Sequence, residues 1–185
     1  MKKRILAFLL IAATAFLLIS CSSVKHGMEY YDEVINRTTV YNPNLLPSLD
    51  KLSDYTDIDF TEKTTSDGLF VSLGYALFVT YDKNDYEAKV EEVNRTHSYL
   101  DENNASTYFR LPLADISYEG YEIKIVPFYS DDFSCKHFGM IGFNDEKCRI
   151  CYLMFSDSDL DSLGISEDPA AGYVEFIDEY FDFVD

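Results

Sequence analysis

The loop Asp157-Ser-Asp159-Leu-Asp161-Ser-Leu-Gly164 sets carboxylates at alternate positions, and such a spacing can converge on one hard cation. Asp168 stands where the last oxygen ligand of a calcium loop would be. Two features argue the other way: Ser162 occupies the position where a glycine would make the sharp turn, and the segment leading in reads as a strand rather than a helix. A solvated turn whose Asp side chains cap backbone amides is therefore the first reading, and a calcium site on Asp157, Asp159 and Asp161 the alternative. Cys135-Lys-His137 with Cys148-Arg-Ile-Cys151 offers four zinc-type ligands. A structural zinc site usually holds its closely spaced Cys pair in a tight turn. Here the pair reads as part of a strand, where an odd separation sends the two thiols to opposite faces. Cys135, Cys148 and Cys151 are thus read as free thiols or as one loop-closing disulfide with a thiol left over. His97 falls on the apolar stripe of a helical segment and is expected as a hydrogen-bonded core or boundary residue rather than a base. Ser72, in Phe70-Val-Ser-Leu-Gly74, lacks the first glycine of a nucleophile elbow. No glycine-rich phosphate loop is present. No catalytic residue is assigned.

The clearest chemistry lies at the N-terminus. Met1-Lys-Lys-Arg4 is a cationic head, and Ile5 to Ile19 is an apolar run broken only by Thr14. Leu18-Ile19-Ser20-Cys21 closes it, and this order is that of a secretory leader. The run is short for a membrane-spanning helix, which needs about twenty apolar residues. Leu18 is too bulky for the general signal peptidase. The last four residues resemble the lipobox of bacterial lipoproteins, and the resemblance implies a cut before Cys21 with fatty acids fixed to that cysteine. Two acyl chains give stable anchoring where one gives only marginal binding. The expected location is the extracytoplasmic face of the cell membrane, with Cys21 as the lipid anchor.

Over the whole chain of 185 residues the formal net charge is −18. Loss of residues 1–20, which carry Lys2, Lys3, Arg4 and no acid, leaves 12 bases against 33 acids, about −21. So acidic a body is repelled by nucleic acid, whose binders carry basic patches, and by anionic lipid headgroups. It should stand off the bilayer on a tether. About 165 residues suffice for one domain with a real core. The 15 Tyr and 14 Phe must supply much of that core.

The elements that position these residues follow from periodicity. Ser22 to Gly27 reads as a polar tether and Met28 to Ile35 as one or two helical turns, with Pro43 and Pro47 enforcing a loop. Residues 57–64 alternate partly, as a half-exposed strand does, and 65–68 form a turn. Leu69 to Tyr81 is the strongest strand, with Leu69, Val71, Leu73, Tyr75, Leu77, Val79 and Tyr81 on one buried face. Asp82 sits as an N-cap to a helix reaching about Ser98. Short strands are expected near 108–113 and 121–126. A hairpin over 138–155 and a terminal helix capped by Asp168, with Pro169 in its first turn, complete the chain. The predicted fold is α+β, a mostly antiparallel sheet of about five or six strands with two main helices packed on one face. The predicted division is a leader over 1–20, a lipidated tether and lead-in over 21–56, and one globular domain over 57–185.

Phe70-Val-Ser72, Leu77-Phe-Val-Thr-Tyr81-Asp82 leading into a Tyr- and Glu-rich helix, Ile141-Gly-Phe-Asn144 and Asp157-Ser-Asp-Leu-Asp161 resemble stretches of uncharacterised lipoproteins from Gram-positive bacteria. The resemblance spans roughly 57–184 and implies fold and location without an activity. The functional expectation is a non-enzymatic binding or interaction module held at the membrane, its partner a protein, wall polymer or ligand, with no cofactor. The alternative is a calcium-binding protein or a carboxylate- or metal-assisted hydrolase of the cell envelope.

Overall fold

A computed structural model describes residues 21–38, 45–67, 70–102, 111–126, 137–157 and 168–183. In chain order these form β1 (Cys21–His26), α1 (Tyr31–Thr38), β2 (Tyr55–Asp67), β3 (Phe70–Tyr81), α2 (Lys83–Thr96), β4 (Ile116–Tyr118), β5 (Tyr121–Val126), β6 (His137–Asn144), β7 (Arg149–Asp157) and α3 (Pro169–Tyr180). All seven strands join one antiparallel sheet in the order β1-β2-β3-β7-β6-β5-β4. Two meanders, β1-β2-β3 and β4-β5-β6-β7, meet at the β3–β7 pair, and α2 lies in the crossover that carries the chain from β3 toward the far edge. The α+β class and the antiparallel sheet agree with the sequence expectation.

β3 is apolar at both parities, so neither of its faces can be left to water. Tyr75, Leu77, Val79 and Tyr81 share one core with Tyr152 and Met154 of β7. Tyr31 and Val34 of α1 and Tyr86 and Val93 of α2 cover that face. Ala76 and Phe78 point the other way, into a second core with Leu153 and Phe155. There Tyr173, Phe176 and Ile177 of α3 form the cover. The two main helices therefore lie on opposite faces, correcting the expectation that both pack on one. The physical reason is in β3 and β7, where Phe78, Cys151, Leu153 and Phe155 make the second face as apolar as the first.

Two further expectations change. The segment read as a polar tether is strand β1, in register with β2 from Cys21↔Ser66 to His26↔Thr61. Ser22, Ser23 and Lys25 read as solvated chain because an edge strand exposes its side chains, and Ser22 to His26 are indeed all exposed. β1 and the three-residue β4 bring the sheet to seven strands. The β4–β5 hairpin turns at Glu119 (φ 48°) and Gly120 (φ 79°), the doubly left-handed turn that matches strand twist. The strand expected near 108–113 falls mostly outside the described residues, and 111–113 is not strand.

Local chemistry fixes the helix ends. Asp168 accepts hydrogen bonds from the Ala170 and Ala171 amides, at 3.0 and 3.4 Å, with Pro169 opening α3. At the other end Lys63 donates to the carbonyls of Asp178 (2.9 Å) and Phe181 (3.2 Å), a cation where the helix dipole is negative. Gly74, on the α3 side of β3, lets that helix end settle on the strand, since a Cβ there would collide with the carbonyl oxygen of Tyr180. Gly74→Ala should lower stability by about 1–3 kcal/mol, the usual cost of overpacking. The shift in the midpoint of urea unfolding, at unchanged m-value, measures it.

Candidate functional site

The residues singled out by sequence are scattered over the molecule. Cys21 opens β1 at the edge of the sheet, opposite Ser66. Asp157 ends β7 opposite Ser72, whose hydroxyl donates to its carboxylate, both side chains being buried. Asp159 and Asp161 lie outside the described residues. Among the described residues no group of three or more His, Cys, Asp or Glu side chains is placed to hold a metal ion. His137 pairs in register with Ser156, one residue from Asp157, so strand alternation sends its ring to the face opposite the Ser72–Asp157 pair. Ser72, Asp157 and His137 thus form no nucleophile–base relay.

Cys148 sits in the β6–β7 turn with φ 49°, half-buried, its thiol 3.7 Å from the Asp145 carbonyl. Cys151 is fully buried in β7 among the residues under α3. Both are free thiols, while Cys135 lies outside the described residues. Burial pushes the Cys151 thiol up to about 12, so it is both protonated and shielded. His97 caps the C-terminus of α2, its ring Nδ1 within 3.1 Å of the Val93 carbonyl and 3.2 Å from the Thr96 hydroxyl. That is the boundary role its place on the helix suggested.

The concave feature of greatest chemical interest was not legible in the sequence. A cavity of about 370 Å³ opens between α2, the segment Leu45–Leu52 and the β3–β7 pair, within the lower part of the range of small-molecule sites. Leu45, Leu46, Pro47, Leu52 and Val93 make its apolar lining. Tyr81 and Tyr152 rise from the sheet, and Lys51, Lys89, Glu92, Thr96 and His97 add polar groups. Two contacts hold the loop wall in place. Tyr31 of α1 donates to the Pro47 carbonyl at 2.5 Å, and the Leu45 side chain occupies the space that a Cβ on Gly139 of β6 would need. On the helix wall Lys89 pairs with Glu92 at 2.8 Å. The lysine holds the Glu92 carboxyl below its ordinary range.

Tyr81 is the unusual member. It is 3% exposed, and its hydroxyl has no hydrogen-bond partner among the described residues. Burial, with the Glu92 and Asp54 carboxylates adding to it, pushes this phenol up to about 12. The hydroxyl stays protonated at neutral pH, closed off from solvent. In the sequence Tyr81 reads only as the last core residue of a strand, and the opposing wall comes from a proline-bounded loop without periodicity.

Set against protein-family models, curated proteins and solved structures, the chain matches none.

Iodoacetamide should modify Cys148 of the native protein at neutral pH at least tenfold faster than Cys151, with equal labelling in denaturant. Peptide mass spectrometry reads both sites.

Proposed function

We propose that this chain is a lipid-anchored binding module on the extracytoplasmic face of the cell membrane, non-enzymatic and committed to the bilayer through Cys21. The observation that carries the reading is the junction at Cys21. A cationic head, an apolar run and Leu18-Ile19-Ser20 precede it. Among the described residues no helix is long and apolar enough to cross a membrane. The resemblance of the body to Gram-positive lipoproteins supports the same location. Support for a binding role comes from the cavity, a concave site of ligand-sized volume lined by both apolar and polar side chains.

In a bacterial host the wild-type chain should incorporate labelled fatty acid and partition into detergent. Cys21→Ser should take up no label and lose detergent partitioning. A wild-type chain without label, or one whose Cys21→Ser variant is acylated equally, would overturn the anchor.

A further inference from the structure

Burial divides the lining of the cavity beside α2 into two zones. Leu46 and Val93 are each 5% exposed, and Pro47 and Leu52 are half-buried, so the withdrawn part of the lining is hydrocarbon. Lys51, Glu92 and Thr96 are exposed and Lys89 and His97 half-buried, so the polar part stands where water reaches. A molecule that suits both zones is amphipathic. Its body lies against the hydrocarbon, and its one polar group stays at the mouth, where it escapes the cost of full desolvation.

The charges of the lining decide the sign of that group. The chain has 33 acids to 15 bases, and two other concavities follow the same bias. One is lined by Lys83 with Glu87, Glu91 and Asp145, the other by Lys124 with Asp115 and Glu122. The cavity beside α2 inverts it, with Lys51, Lys89 and His97 against Glu92 alone. Glu92 is already matched by Lys89 at 2.8 Å, and the lysine is the more withdrawn of the two, its side chain 17% exposed against 49%. Lys51 makes no ion pair among the described residues. Asp50 and Asp54, on either side of it in sequence, are exposed and outside the lining, where water and salt weaken their reach. An anion at the mouth therefore meets favourable charge, and a cation does not.

We propose that the cavity between α2, the Leu45–Leu52 segment and the sheet binds a small monocarboxylic acid with an apolar body, the body against Leu46, Leu52 and Val93 and the carboxylate at the mouth beside Lys51 and Lys89. The proposal rests on the binding-module reading and identifies the chemistry of its ligand. It is independent of the anchor, which fatty-acid labelling tests separately.

Three probes of one size separate the alternatives: hydrocinnamate carries a carboxylate, hydrocinnamamide no charge and 3-phenylpropylamine an ammonium. Each is titrated into the full chain at neutral pH, with the methyl resonances of Leu46, Leu52 and Val93 followed by NMR. Hydrocinnamate should shift these methyls and bind about fivefold more tightly than the amide, the upper worth of an exposed ion pair. The amine should bind most weakly. Added salt should weaken hydrocinnamate and leave the amide unchanged. Lys51 is exposed, so Lys51→Gln keeps the fold, and it should lose about fivefold in affinity for hydrocinnamate. Lys83→Gln removes the same charge beside a different concavity and should lose none. An amide or amine that binds as tightly as hydrocinnamate would overturn the carboxylate while leaving the cavity a ligand site. So would equal hydrocinnamate affinity in Lys51→Gln and wild type, or an equal loss in both lysine variants, since net charge alone would then explain the preference. Methyls unmoved by all three probes would overturn the proposal and also remove the cavity's support for a binding role.

Discussion

Everything in the architecture depends on two strands that have no polar face. β3 and β7 pair along the middle of the sheet from Ser72↔Asp157 to Thr80↔Arg149, and apolar side chains leave both sides of that seam. A one-sided sheet can show its polar face to water, but this one cannot. Chain on both sides must cover it, and the sequence supplies cover in three pieces: α1 and α2 on one side and α3 on the other. The placement of α2 follows from topology as well. Its crossover takes the chain from the central β3 toward the edge strand β4, so the helix passes over the sheet. The return path through β5 and β6 then delivers β7 to the open side of β3.

Much of this could be read from residue order. The alternation through β3, the turn between β6 and β7, and the Asp168-Pro169 start of α3 are local signals, written within a few residues of where they act. The side of the sheet on which a helix lies is not local. It depends on how apolar the second face of β3 becomes once β7 is beside it, where Phe78 joins Cys151, Leu153 and Phe155. β1 was illegible for a related reason. An edge strand with exposed side chains and one hydrogen-bonded border has the composition of a linker, and only the register with β2 distinguishes them. The cavity is harder still. Its walls come from four separate stretches of chain, and the feature that distinguishes Tyr81 is a missing contact, which no pattern in the sequence encodes.

The scarcity of basic side chains gives those present recognisable structural roles. Lys25 crosses from β1 to Glu62 on β2 at 2.7 Å, and that carboxylate is only 3% exposed, so the pair balances a charge largely removed from water. Arg149 lies over the ring of Phe78, 4.9 Å from its centroid, where a planar cation and a π face attract each other. Together with Lys63 at the end of α3, these contacts place cations against β2 and β3. Much of the remaining acidity is spread over the surface, where it favours solubility.

The register of β1 has a mechanical consequence. Since Cys21 is already paired with Ser66, a lipid on its sulfur would be joined to the sheet with no slack between them. A long flexible leader would let the body tumble freely above the headgroups. Here the swivel would be confined to the bonds of the cysteine side chain and the glyceride, and the corner of the sheet formed by Cys21, Ser66 and Val71 would ride lowest. The β6–β7 turn lies at the opposite end of the strands, so it would point outward, and with it the nearby rim of the domain. Such a moored body meets its surroundings in a narrow range of attitudes, which a tethered one does not.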